Sequence, residues 1–481
     1  MAAAGGGKSL KDCPSNLKEA IDWILRVTGK DGNSSGSQSG TQQLATAVTG
    51  LLDDVKPHEP ELRKKSDEIK KALKSDSSTG LIENLADGLA KFIGYQNSNS
   101  GSDIGTDGIA VKGQPHESRE LAKEFKYGFA TYKYGYILSY PKSADWNRDF
   151  SSSVTDHPKA AKIFLSCVPM LFYGLGLLYW RCRSGGGWEK AKVNHSNSSL
   201  RYFLSSQGFG KEELQDKEGS HVVSNALNTF KELKGAISNA HSLIDYFQNF
   251  HNRLNEATKQ EASVTAEKLK EHCLSALFYL CRYYFTGKHI IQSNNPSIKC
   301  RPPSSIRTML YWLSGLTITP QFGDLLKHFI TLVPDDFNVA ISGSSKQKEK
   351  LTADDLMGHL ITSCLSSSWV LGTIQGSGGS EKPLLHEIFS NTENLQYPSL
   401  VAGLFNTLSS YSYALQFQLG FLMRQCRFTY GDACGWQQCK YGGSDSSSYV
   451  VNSYLCPSNG NGCNNSNSPP PSFPHRYLKG F

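Results

Sequence analysis

The sequence predicts a mainly α-helical protein of multi-helix bundle architecture, with a cysteine-rich, loop-dominated C-terminal segment. Three observations carry this. Apolar residues recur three or four apart along most of the chain, as on one face of a helix. The strict apolar–polar alternation of strands is scarce. After Arg424 the helical pattern stops, replaced by Gly, Ser, Asn, Pro and five cysteines. With 481 residues the chain can bury a large core and accommodate roughly two to four domains.

The elements follow in order. NLKEAIDWILRVTG (16–29) places Leu17, Ile21, Ile24 and Leu25 on one face, with Ser15 expected as N-cap and Gly29 as terminator. Polar NSSGSQSG (33–40) precedes helical TQQLATAVTGLLDDV (41–55), and ELRKKSDEIKKALK (61–74) and LIENLADGLAKFIGY (81–95) complete a short-helix group. NSNSGSDIGTDGIAVKGQP (97–115) has the composition of a linker. The expected division is therefore an N-terminal short-helix domain (1–96), a Gly/Ser/Asn-rich linker (97–117), a main helical domain (118–425) and the cysteine-rich segment (426–481). Within the main domain, helices are expected near 118–136, 157–181, 198–210 and 221–258. In KLKEHCLSALFYLCRYYF (268–285), Leu269, Cys273, Leu277, Leu280 and Tyr284 form a stripe. SSIRTMLYWLSGL (304–316), DLLKHFITLV (324–333) and 354–374 continue the pattern.

Two apolar stretches raise the question of a membrane. IFLSCVPMLFYGLGLLYW (163–180) is eighteen uncharged residues between Lys162 and Arg181, interrupted by Pro169, Gly174 and Gly176. LQYPSLVAGLFNTLSSYSYALQFQLGFLM (395–423) is longer but diluted with polar residues, and sets Leu400, Leu404, Leu408, Tyr411 and Leu415 on one face. A spanning helix needs about twenty predominantly apolar residues. Buried core helices are expected for both.

Charge and motifs exclude several function classes. The net charge of +7 comes from scattered Lys and Arg without a run of five basic residues, so no nucleic-acid partner is expected. GGGKS (5–9) lacks both the leading glycine of a phosphate loop and a preceding strand. The N-terminus has no apolar leader region. No paired-glycine cofactor loop, H-E-x-x-H or nucleophile-elbow motif occurs in a suitable context, so no catalytic residue, cofactor or metal is assigned and the protein reads as non-enzymatic.

The cysteines are the remaining chemistry. Cys426, Cys434, Cys439, Cys456 and Cys463 lie in a tail with few apolar side chains. Their gaps contain no C-x2-C pair, and only Cys434 and Cys439 touch the loose edge of zinc-knuckle spacing. Disulfides stabilise such segments by roughly 2–4 kcal/mol each. Five is an odd number, so complete pairing needs a bridge into the helical body. Cys300, in a polar loop, and Cys364, near a glycine-rich loop, are the favoured outside candidates. Cys273 and Cys281, on the apolar stripe, are expected to act as small buried hydrophobes. Disulfides imply an oxidising compartment, in tension with the absent leader.

CPSNLKEAIDWILRVTGKDG (13–32), HPKAAKIFLSCVPMLFYGLGLLYWRC (157–182), SSIRTMLYWLSGLTITPQF (304–322), YGDACGWQQCKYG (430–442) and PPSFPHRYLKGF (470–481) resemble, in order, segments of the variant erythrocyte surface antigens of Babesia. The resemblance implies export to the surface of the infected host erythrocyte without a standard leader. It further implies antigenic variation, immune evasion and adhesion to vascular endothelium. The implied partners are a second related antigen subunit in a heteromer, a host endothelial receptor and host antibodies. It also implies that Cys426, Cys434 and Cys439 belong to cross-linked extracellular structure. Members carry a C-terminal membrane anchor, which this chain is expected to lack as a fragment or truncated form. The competing reading is an intracellular or membrane-embedded helical scaffold protein without catalytic activity.

Overall fold

The computed structural model describes residues 8–30, 40–55, 80–94, 144–150, 156–214, 216–227, 271–293, 299–332, 338–340, 348–350, 352–375 and 384–427, with scattered positions between them. The expected linker 97–117, the helix near 118–136 (apart from Tyr136) and most of 221–258 lie outside the described residues. So do Cys434, Cys439, Cys456 and Cys463.

The described elements are mainly helical, as the periodicity predicts. α1 (Leu17–Thr28) starts from Asn16, whose side chain accepts from the Glu19 amide at 2.9 Å. The cap is therefore Asn16 and not the expected Ser15. Ser15 instead donates both its amide and its hydroxyl to the Glu19 carboxylate, at 2.9 and 3.0 Å. A carboxylate reaching back over the helix start satisfies donors that the helix leaves open. Gly29 ends α1 at φ 70°, a conformation that costs glycine least. α2 (Thr41–Asp53) and α3 (Leu81–Ile93) follow, then a short α4 (Trp146–Phe150).

α5 (His157–Cys182) contains the first apolar stretch and is the centre of the fold. From Ile163 to Trp180 every residue is buried, because α1, α2 and the helices Cys273–Ser293, Ala353–Gln375 and Leu384–Phe389 pack around it. Among the described residues it is the one helix long and apolar enough to cross a membrane, yet 94% of its most apolar window is covered by the protein itself. An apolar surface on all sides needs partners on all sides, and this bundle supplies them.

α6 (Ser199–Ser206) leads to α7 (Cys273–Ser293), whose Phe278 ring stacks on Phe172 of α5 at 3.9 Å between centroids. The whole expected stripe of Leu269, Cys273, Leu277, Leu280 and Tyr284 is buried. α8 (Ile306–Leu316) opens with a capping box between Ser305 and Thr308. α9 (Phe322–Leu332), α10 (Ala353–Gln375), α11 (Leu384–Phe389) and α12 (Val401–Arg427) complete the chain order. Among the described residues one three-residue antiparallel pair, 338–340 with 348–350, interrupts the helical pattern. One continuous hydrophobic core joins residues from Leu10 to Leu415, so the helices before the expected linker and those after it share their packing.

The second apolar stretch departs from expectation. α12 is a surface helix and not a core helix: Leu404, Leu408 and Leu415 are buried, Tyr411 is partly buried, and Leu400, just before the helix, is 76% exposed. Helical spacing identifies a face but not whether a partner covers the opposite one. α12 also runs three residues past Arg424, which places the backbone of Cys426 in its last turn.

Candidate interaction surface

Two buried polar clusters are the first places to look for chemistry, and both are closed. In α1, Asp22 is fully buried and accepts from Lys18 Nζ at 3.0 Å, Tyr136 Oη at 2.6 Å, and the Ser139 amide and hydroxyl, each at 2.8 Å. Lys18 also lies over the Tyr136 ring, 4.5 Å from its centroid, and 3.7 Å from Glu213. Burial raises the Glu213 pKa, against the pull of Lys18. Lys18 is shared between the Asp22 and Glu213 carboxylates, and the hydrogen bonds to Asp22 tie α1 to the segment 136–140.

The second cluster joins α7 to α11. Tyr284 Oη lies 3.0 Å from His386 Nε2, and the imidazole sits against the Tyr284 and Phe285 rings. Burial, together with the positive charges of Lys162 and Lys288, pushes the His386 pKa down to about 3, so the ring is neutral at physiological pH. Among the described residues no group of three His, Cys, Asp or Glu side chains is arranged to hold a metal.

The thiols are equally quiet. Cys13, Cys167, Cys182, Cys273, Cys281, Cys300 and Cys364 are unbridged in this structure. Burial pushes the Cys13 pKa up to about 12 and raises those of Cys167, Cys182, Cys281 and Cys364. A nucleophilic cysteine needs the opposite shift, toward thiolate at neutral pH.

What the surface does present is the outer face of α12. Its inner face is fixed at the N-terminal end by two contacts. Tyr411 meets Trp312 of α8 edge-to-face at 5.2 Å, and Phe405 packs against His328 and Phe329 of α9. Trp312 is itself held by the stacked Tyr397 ring at 5.3 Å and by an Nε1–H bond to the Gln396 carbonyl at 2.9 Å. Toward the C-terminal end the core contact thins to partly buried side chains, Leu419 and Leu422 among them. Among the described side chains from 416 to 427 none is buried, while Tyr413 and Phe417, one turn apart, are 75% and 73% exposed. Met423 adds a further exposed apolar side chain at 53%. The sequence signal existed in the i, i+4 pair of aromatics. It was hidden because Leu415 belongs to the same apolar run.

The family model for variant erythrocyte surface antigen-1 matches residues 206–332. Over these residues, about a quarter of the chain, the protein is similar to the variant erythrocyte surface antigen family. The matched residues contain α7, α8 and α9, including the block 304–322 that carries part of the sequence resemblance. No curated protein and no solved structure matches the chain.

In this chain the cysteines singled out from sequence are not brought together among the described residues. Cys300 is exposed, shortly before α8, and Cys364 is buried within α10. Cys426 lies in the last turn of α12, and the other four tail cysteines lie outside the described residues. Of the two outside candidates for a tail bridge, Cys300 can be reached without moving a helix.

Proposed function

We propose that this chain is a variant surface antigen, exported to the surface of the infected erythrocyte and acting there without catalysis, in antigenic variation and immune evasion and in adhesion to host endothelium. The observation that carries the reading is the family match over residues 206–332, a family of surface antigens and not a known enzyme family. The architecture supports it physically. A helical core spreads its packing over residues drawn from most of the chain, so the polar connections on its surface can change sequence at little cost to stability. The partners in this reading are a second related antigen subunit, a host endothelial receptor and host antibodies. The expected tail bridges among Cys426, Cys434, Cys439, Cys456 and Cys463, with one running to Cys300 or Cys364, belong to the same reading, since an exported chain meets an oxidising environment.

Antibodies raised against the full chain test this on intact, unpermeabilised infected erythrocytes. The reading predicts surface labelling and reduced adhesion to an endothelial monolayer. Labelling that requires permeabilisation contradicts export, and surface labelling that leaves adhesion unchanged contradicts the adhesive role.

A further inference from the structure

Residues 384–397 cross the helical body in two halves that are fastened by different chemistry. The first half, α11, is fastened to α7 by two imidazoles, one from each helix. His386 Nε2 lies 3.0 Å from Tyr284 Oη, and His289 Nε2 lies 2.7 Å from the Phe389 carbonyl oxygen. The second half is fastened to α8 and the residues before it. Glu393 joins Arg301 and Arg307 at 2.5 and 2.6 Å, and Thr392 meets Tyr311 Oη at 2.9 Å. The Gln396 carbonyl accepts from Trp312 Nε1 at 2.9 Å. We propose that residues 384–397 are an acid-sensitive strap, whose α11 half opens from α7 while 392–397 stays seated on α8. This inference does not depend on the family match.

The charges around the two halves set which gives way first. α5 presents Lys162 and α7 presents Lys288 to His386, and both oppose a further positive charge there. Asp54, after α2, faces Tyr284, while Glu387 of α11 itself faces Cys13 and Tyr311. His289 has no charged side chain set against it among the described residues, and burial lowers its pKa against the bond to Phe389. Neither imidazole has a carboxylate partner among the described residues. A proton taken up at either ring therefore enters a half-buried site without a counter-ion. Glu393 behaves in the opposite sense. Against its burial, the hydrogen bonds and charge of Arg307 and Arg301 hold its carboxyl below the ordinary range. Mild acid reaches the α7 side and leaves the α8 side fastened.

Opening takes the form of local unfolding. α11 has six residues, too few to persist as a helix once its cover is gone. Leu385, Ile388 and Phe389 leave the core in the open form. Cys13, whose sulfur is hydrogen-bonded by the Leu385 backbone, is uncovered with them. The open form binds more protons, so its share rises as pH falls. With His386 titrating at about 3 when closed and near 6.5 when open, that share rises roughly 25-fold from pH 7 to pH 5.

Hydrogen–deuterium exchange of the full chain at pH 7 and pH 5 tests this, with rates corrected for intrinsic exchange. The amides of Ser390 and Asn391, bonded to the His386 and Ile388 carbonyls, report on the first half. The amides of Arg301 and Gln396, which pair 301 with 394–396, report on the second. Protection at 390–391 should fall at least tenfold at pH 5, while that at 301 and 396 changes by less than about threefold. Equal protection at 390–391 at both pH values, or a fall shared by 301 and 396, overturns the proposal. Reaction of the same chain with dithiodipyridine gives a second readout. The rate at Cys13 relative to exposed Cys300 should rise several-fold at pH 5, and an unchanged ratio overturns the proposal. In a chain carrying both His289→Gln and His386→Gln the fall at 390–391 should disappear, and a fall as large as the parent's overturns it. The two measurements on the parent chain decide the matter without this variant if it does not fold.

Discussion

The Cys281 thiol of α7 donates to the backbone carbonyl of Leu165 in α5, at 3.2 Å. Four residues on from Leu165 stands Pro169, which has no N–H to offer that carbonyl. α5 continues through the proline nonetheless, and a side chain from the neighbouring helix takes the place of the missing donor. A buried carbonyl left unpaired costs about 1–3 kcal/mol, so the thiol acts as more than an apolar filler. The sequence stripe that contains Cys281 predicts its burial; the hydrogen bond depends on where α7 crosses α5.

This relationship predicts a coupling. Cys281→Ala should destabilise the protein, and the loss should shrink by about 1 kcal/mol in a Pro169→Ala background, where the substituted residue supplies the missing amide itself. Urea denaturation of the four chains in the cycle measures it. Equal losses in both backgrounds would show that Cys281 contributes only packing.

Acid stability should depend on His386. Its pKa is about 3 in the folded protein, against an ordinary value near 6.5 in the unfolded chain. Between those values the unfolded chain binds more protons, so stability falls as pH drops from about 6.5 toward 3. His386→Gln keeps a hydrogen-bonding partner for Tyr284 and removes the titration. The variant should lose less stability than the parent between pH 7 and pH 5 in urea titrations. The difference between the two profiles isolates His386 from the carboxylates, and parallel profiles would refute its role.

The loop 183–198 has the composition of a freely cleavable connection, yet it is pinned. Trp188 is buried, its amide donates to the Arg181 carbonyl at 2.7 Å, and Arg181 lies 5.5 Å from the Trp188 ring. Gly219 packs so closely that an added Cβ would stand 2.0 Å from the Trp188 carbonyl oxygen. Gly219→Ala should therefore displace the loop and speed its cleavage in limited proteolysis. In the unaltered chain 183–198 should resist, and early cleavage there would show that these contacts do not hold it.

Thiol reactivity should divide the cysteines by burial. Under native conditions Cys300 should alkylate quickly if reduced, while Cys167, Cys182, Cys281 and Cys364 should react only on unfolding. Non-reducing peptide mapping of surface-exported material should find the tail cysteines oxidised, with Cys300 the accessible outside partner. Free thiols at Cys426, Cys434, Cys439, Cys456 and Cys463 together would remove the cross-linked tail from the account.

Much of this was legible in sequence where one signal dominates. Leu17, Ile21, Ile24 and Leu25 face the core because a 3.6-residue period leaves them no other common face. The block 163–180 is central because it is apolar all round. What stayed hidden depends on neighbours. Asn16 displaces Ser15 as cap because Glu19 engages Ser15. Leu400 is exposed because α12 begins after it. Tyr413 and Phe417 fall within the stretch 395–423 expected as a core helix, because spacing alone does not tell a covered face from a bare one. The candidate surface was therefore the least legible part.

Protease treatment of intact infected erythrocytes tests the central claim most directly. If the chain is an exported surface antigen, trypsin added outside the cell should remove or shorten it while erythrocyte cytoplasmic proteins stay intact. Full protection of the chain, with digestion only after the membrane is opened, would contradict the account.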